Sequence, residues 1–212
     1  MDVVLPCLDE AAALPAVLAS LPPGHRAIVV DNGSSDGSPE VAASLGAVVV
    51  HEPRRGYGAA VHTGLLTATS RVVAFADADG SLDLAELPAM AALLADADLV
   101  VGRRRPVGTG VWPWHARAAN AVIASLLRRR GLAVHDIAPL RVCRREALLA
   151  LDVRDRAFGY PLELLVRASE AGWRVREVDV AYRPRAAGTK SKVSGSVRGT
   201  LRAARDMAGV LR

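Results

Sequence analysis

The sequence predicts an α/β fold: one domain on a mostly parallel central sheet flanked by helices. Three observations carry this. Short β-rich runs at residues 3–5, 27–30, 47–50, 72–76 and 99–102 alternate with Ala/Leu-rich segments of about helix length. With 212 residues, the chain can bury one sizeable core and is too short for two ordinary domains. Hydrophobic residues make up 51% and charged residues 23%, which excludes disordered, collagen-like and mucin-like classes.

The elements follow in order. The strand at 3–5 begins almost at the first residue, with no basic segment, long apolar stretch and cleavage site ahead of it, so a cytoplasmic chain is expected. A helix is expected over 11–21, with Asp9 as its cap and Pro15 near its first turn; Pro22-Pro23-Gly24 ends it. Further helices are expected over 59–68, 84–95 (capped by Asp83), 114–130, 161–171 and 196–211, and a late strand over 174–182. The irregular stretches at 102–113 and 183–196 are long enough to suggest function. Cys7 and Cys143 lie in apolar surroundings and are expected in the core. No apolar run approaches the roughly 18–20 residues that span a bilayer.

The formal net charge is +5, and of 27 basic residues only Lys190 and Lys192 are lysines. Both fall in Arg183-Pro184-Arg185-Ala186-Ala187-Gly188-Thr189-Lys190-Ser191-Lys192, a flexible stretch whose four cations can wrap an anion. A solvated surface run is the plainer alternative. There is no helix-turn-helix, RNA-recognition or zinc signature, so nucleic acid is not expected as a partner.

In an open α/β sheet, ligands gather beyond the carboxyl ends of the strands. Here those positions are acidic: Asp9-Glu10 after the first strand, Asp31-Asn32-Gly33-Ser34-Ser35-Asp36-Gly37 after the second, and Asp77-Ala78-Asp79-Gly80 after the fourth. Turns and caps use the same residue types. Two carboxylates closing a buried strand repel each other unless neutralised, and a hard divalent cation with oxygen ligands would do so. Gly56 and Gly58 suit either a backbone approached by a ligand or a tight chain connection.

Taken together, Val3-Val4-Leu5-Pro6, Val30 to Gly37, Arg55-Gly56-Tyr57-Gly58-Ala59-Ala60, Asp77-Ala78-Asp79, Asp136 to Arg141, Gly159-Tyr160, Glu163 and Arg185 to Lys192 resemble family 2 glycosyltransferases of GT-A fold. The branch is the one similar to dolichyl-phosphate mannose synthase. The resemblance implies a donor part over 1–102 and an acceptor part over 103–212 with a C-terminal amphipathic helix. It implies Pro6, Leu8, Glu10, Asp31, Asn32, Gly56, Asp77, Ala78 and Asp79 for a GDP- or UDP-linked sugar, with Asp77 and Asp79 holding Mg2+ or Mn2+. Asp79, Asp136 and Arg141 are implied at the reaction centre, and Arg104, Arg185 and one of Lys190 and Lys192 at the phosphate of a polyprenyl acceptor. The chain departs from the pattern at Asn32, where a second acid is common, at Ser81, where a glutamine is common, and over 136–141, which lacks Ser-Gly-Phe-Arg.

These readings imply a metal-dependent inverting hexosyltransferase. Val111-Trp112-Pro113-Trp114 ahead of a helix ending in Arg128-Arg129-Arg130 suggests peripheral contact with an anionic membrane, on its inner face. The alternatives are transfer to a soluble hydroxyl with Asp136 as general base, and a non-catalytic nucleotide-sugar-binding module. A nucleotidyltransferase would need an early Gly- and Lys-rich phosphate loop, which the sequence lacks.

Overall fold

The structure, a computed structural model, describes residues 1–186, 206, 207, 209 and 210. Lys190 and Lys192 lie outside the described residues. Of the helix expected over 196–211, only residues 206, 207, 209 and 210 are described, all helical.

Strands β1 (Asp2–Cys7), β2 (Arg26–Asp31), β3 (Val48–His51), β4 (Val72–Phe75), β5 (Leu99–Pro106), β6 (Leu140–Arg144) and β7 (Val175–Tyr182) form one sheet in the order β3-β2-β1-β4-β6-β5-β7. β6 is antiparallel to both neighbours, and every other pairing is parallel. The helices are α1 (Leu14–Ala19), α2 (Ser38–Ser44), α3 (Tyr57–Thr67), α4 (Leu87–Ala92), α5 (Trp114–Arg129), α6 (Arg145–Ala150) and α7 (Tyr160–Glu170).

The central strands are apolar on both sides because both faces are covered. Val3, Leu5 and Val29 meet Leu14 and Val17 of α1, Ala42 of α2 and Leu87 and Met90 of α4. Val4, Ile28 and Val30 turn the other way, toward Ala60 and Leu65 of α3, Leu127 of α5, Leu148 of α6 and Leu165 of α7. Cys7 and Cys143 are buried free thiols, as expected from their surroundings.

Several expected elements change. β6 and α6 were hidden because Arg141 and Arg144 interrupt the apolar signal of a strand that the sheet nevertheless buries. α2 follows directly on a Ser/Gly-rich turn and is only seven residues long. α1 is shorter than 11–21 and has no side-chain cap. Asp9 instead adopts a left-handed φ of 53°, and its Oδ1 accepts from the Ser35 amide at 2.8 Å. The helix expected over 84–95 is α4 between two 3-10 turns, Leu84–Glu86 and Leu93–Ala95. Asp83 caps its start as expected, accepting from the Ala85 amide at 3.0 Å. β5 runs on to Pro106, which shortens the following loop.

At the amino end of β1, buried Asp2 accepts from Arg26 Nη2 at 2.7 Å, from the Thr69 and Ser70 amides at 2.7 and 3.0 Å, and from the Ser70 hydroxyl. Burial alone would raise its pKa, but these bonds together hold it well below the usual carboxylate range. A lowered folded pKa contributes stability that is complete above the unfolded value near 4 and declines as pH falls below it. Asp2→Ala is expected to cost about 1.5–3 kcal/mol at pH 7 and to flatten the acid limb of a stability-against-pH curve. An unchanged acid limb in chemical-denaturation series would contradict this.

Candidate active site

The parallel register brings the carboxyl ends of β1 and β2 side by side, with Pro6 beside Val30 and Cys7 beside Asp31. Half-buried Pro6 and Leu8 and buried Glu10 continue from one strand, and buried Asp31 ends the other. Asp31 builds its own turn, accepting from the Gly33 and Ser34 amides at 3.2 and 3.0 Å, and it meets His51 Nδ1 at 3.1 Å. Burial favours its neutral form, but the bonds from Ser34 and His51 outweigh this and lower its pKa. The Ser34 hydroxyl accepts from the Asp9 amide and that of Ser38 from the Glu10 amide, tying the two loops into one shelf.

Asn32 is occupied otherwise. Its Nδ2 donates to the carbonyls of Glu52 and Arg54 at 2.9 and 2.8 Å, and its Oδ1 accepts from the Gly56 amide at 2.8 Å. The side chain pins the 52–56 loop, a task that suits an amide and not a second carboxylate. A Cβ on Gly56 would strike the Arg156 carbonyl oxygen, and one on Gly58 would lie 2.7 Å from that of Asp155. Close chain approach therefore accounts for both glycines.

β4 ends at Phe75, and Asp77-Ala78-Asp79 follows next to β1. Buried Asp79 accepts through Oδ1 from the Ser81 amide at 2.9 Å and pairs through Oδ2 with Arg185 Nη1 at 2.8 Å. The described start of the late basic stretch lies along this turn. The Ala186 amide donates to the Asp79 carbonyl at 3.0 Å, the Arg183 amide to that of Ser81 at 2.9 Å, and Arg183 pairs with Asp83. Burial and the neighbouring Asp79 charge raise the pKa of Asp77, and Arg185, Arg104 and Arg141 oppose the rise.

Those other two arginines come from β5 and β6. Arg104 forms a fork on Asp136, Nε to Oδ2 at 2.9 Å and Nη2 to Oδ1 at 2.7 Å, and its amide also donates to Oδ2. Its guanidinium carbon lies 4.0 Å from the Trp112 ring centroid and 5.5 Å from that of Tyr182. Asp136 is 1% exposed, also accepts from the Ala138 amide, and has a lowered pKa because the bonds from Arg104 outweigh burial. A carboxylate so buried and bonded is poorly placed to act as a general base. Arg141 is fully buried, donates to the Ile137 carbonyl and acts electrostatically on Tyr57. Among the described residues its Nε and the buried Tyr160 hydroxyl have no hydrogen-bond partner.

The structure thus groups Asp77, Ala78, Asp79, Arg104, Asp136, Arg141 and Arg185, and sets Pro6, Leu8, Glu10 and Asp31 on the adjoining strand ends. Tyr57, Trp112 and Tyr182 join the group without having been expected there. The clustered tryptophans at 112 and 114 were the one visible signal, and they suggested a lipid surface. Trp114 is 80% exposed and fits that expectation, whereas Trp112 is packed on Arg104 and Tyr182.

Among the described residues no three His, Cys, Asp or Glu side chains cluster as a ready metal site. Two neighbouring carboxylates, one with its pKa raised by burial and by the charge of the other, still fit a hard cation that takes its remaining oxygens from water and a phosphorylated ligand.

The family model described as Glycosyl transferase family 2 matches residues 2–151. An uncharacterized glycosyltransferase of Mycobacterium tuberculosis is 61% identical over 203 residues, covering 95% of this chain and 93% of that protein. A dolichyl-phosphate hexose transferase of Haloferax volcanii is 34% identical over 196 residues, covering 90% and 86%. A polyprenol monophosphomannose synthase of Mycolicibacterium smegmatis is 34% identical over 218 residues, covering 92% and 81%. Among solved structures, glucosyl-3-phosphoglycerate synthase from M. tuberculosis in complex with Mn2+, uridine diphosphate and glucosyl-3-phosphoglycerate aligns with a TM-score of 0.77. That match has 23% identity and covers 99% of this chain and 77% of that one.

Proposed function

The chain belongs to glycosyl transferase family 2, and we propose that it moves a hexose from a nucleotide diphosphate sugar to a polyprenyl phosphate at a membrane surface. The observation that carries this is the Arg185–Asp79 ion pair beside Asp77, with the charges of Arg104 and Arg141 also acting on Asp77. The three guanidinium charges are balanced by Asp77, Asp79 and Asp136, so a divalent cation on Asp77 and Asp79 would leave the site positive and suited to two anions: the donor diphosphate and an acceptor phosphate. The names of the Haloferax and Mycolicibacterium relatives support the acceptor class.

In the proposed reaction an acceptor phosphate oxygen attacks the anomeric carbon. The bond from that carbon to the diphosphate breaks, and the nucleotide diphosphate leaves with the electron pair. The acceptor is already ionised near neutral pH, so no protein base is required. This agrees with the engagement of Asp136 by Arg104 and argues against the hydroxyl-acceptor alternative. Asp77 and Asp79 would hold Mg2+ or Mn2+, whose chemistry there is to neutralise charge growing on the leaving diphosphate. Pro6, Leu8, Glu10 and Asp31 would line the nucleoside, and Arg104 and Arg185 would orient the phosphates, with the buried Arg141 charge behind them.

The test is a donor panel of UDP-, GDP- and dTDP-hexoses, labelled in the sugar, with Mg2+ or Mn2+ and with or without polyprenyl phosphate. Label entering the organic phase only with prenyl phosphate supports the proposal. Label passing instead to a soluble acceptor such as 3-phosphoglycerate overturns it. Arg185→Ala is expected to lower kcat/KM for the prenyl phosphate roughly 10- to 150-fold, the loss of about 1.5–3 kcal/mol from one charge-assisted contact. An equal loss of nucleotide affinity would move Arg185 to the donor.

Among the described residues no helix is long and apolar enough to cross a membrane. Peripheral contact is proposed through Trp114, Val122 and Leu126, exposed on α5, and through Arg128 and Arg129 in its last turn. Cosedimentation with anionic vesicles is expected to weaken with salt and with Trp114→Ala, each arginine near the surface adding about 1 kcal/mol. Binding that ignores both would contradict this surface.

A further inference from the structure

The proposed phosphate-binding role gives Arg104 a geometric problem, because a long flexible side chain holds an anion well only if its plane and its edge are both fixed. The Asp136 fork fixes one edge, using Nε–H and one Nη2 hydrogen. A fork alone leaves the guanidinium free to tilt. Trp112 and Tyr182 remove that freedom: their rings stand 6.0 Å apart at 63°, and the Arg104 guanidinium carbon lies against both. The slot has its own scaffold, since the Val107 amide donates to the Tyr182 carbonyl at 2.8 Å where the 107–113 loop leaves β5. The Arg104 side chain is 16% exposed and acts electrostatically on Asp77.

We propose that Trp112, with Tyr182, is a positioning residue that locks the Arg104 guanidinium flat, so that the N–H groups not used by Asp136 meet the acceptor phosphate in a fixed orientation. Guanidinium on an indole face is the strongest of the ordinary cation–π pairs, and a planar guanidinium is the cation that gains most from such a slot. The role rests on the phosphate-acceptor reading, but the slot itself does not.

Two measurements separate these. The first is ligand-free: in 15N-arginine-labelled protein, the Arg104 Nε–H resonance, assigned by its loss in Arg104→Lys, is expected upfield from the ring current of Trp112. It should return toward the ordinary position in Trp112→Leu and stay partly shifted in Trp112→Phe. A resonance at the same position in wild type and Trp112→Leu overturns the slot, since the Asp136 hydrogen bond is common to both.

The second is a kinetic cycle with a short prenyl monophosphate as acceptor and saturating donor. Trp112→Leu is expected to lower kcat/KM for the acceptor about tenfold, with donor KM and Tm little changed, and Trp112→Phe to restore most of it. In the Arg104→Lys background the same Trp112→Leu change should cost less than about twofold, because the planar group it positions is gone. An equal tenfold loss in that background, or an equal loss in donor KM, overturns the positioning role. If the wild type shows the shifted resonance but gives prenyl phosphate no sugar, the acceptor reading falls, the positioning role falls with it, and only the slot stands.

Discussion

Asp79→Ala is expected to reduce hexosyl transfer by at least about 10²–10³-fold, the scale for removing a group that stabilises charge developing on the leaving group. Asp79 receives the Ser81 amide and Arg185 and stands two residues from Asp77, so its loss removes half of the proposed cation site and releases an arginine. Asp77→Asn keeps the shape and removes the charge, and is expected to fall nearly as far. Asp79→Ala also leaves the Ser81 amide and Arg185 without their acceptor, so its Tm is expected to fall by a few degrees, while circular dichroism of both variants should remain close to wild type. Metal-dependent donor binding by calorimetry should weaken with turnover. Near wild-type transfer by either variant in chelator-treated buffer would contradict the assignment.

Arg104→Ala is expected to act on the fold as well as on activity. It leaves the Asp136 carboxylate, 1% exposed, without its fork partner, and breaking a buried pair from one side costs about 3–5 kcal/mol. For a chain of this size the loss corresponds to a fall in Tm of roughly 6–20 °C. The double variant Arg104→Met with Asp136→Leu should melt higher than Arg104→Ala, because no uncompensated charge remains. Equal melting of Arg104→Ala and wild type would show that Asp136 does not depend on Arg104, and the account of both residues would fail.

The fold was legible where hydrophobic periodicity and physical burial coincide, as in β1, β2 and β4, whose apolar runs are buried on both faces. It was illegible in β6, because Arg141 occupies a central strand position and reads as surface until Asp77, Tyr57 and the Ile137 carbonyl supply its environment. The acids after β4 were legible because paired carboxylates ending a buried run are costly without a neutralising partner. Asn32 and Gly56 were assigned by motif to the donor, while their bonds and contacts bind one loop to another. Trp112 and Trp114 show the limit most clearly. They are two residues apart and identical in type, yet one packs on Arg104 and the other is exposed, a difference fixed by the path of the 107–113 loop relative to Tyr182.

The central claim is that the acceptor is recognised by its phosphate through Arg104 and Arg185. The most direct measurement compares initial transfer rates to a polyprenyl monophosphate and to the corresponding polyprenol, with the same donor, divalent cation and detergent. The account predicts transfer to the phosphate and essentially none to the alcohol, because only the phosphate supplies an ionised nucleophile and a ligand for the arginines. Comparable rates with the alcohol would contradict it.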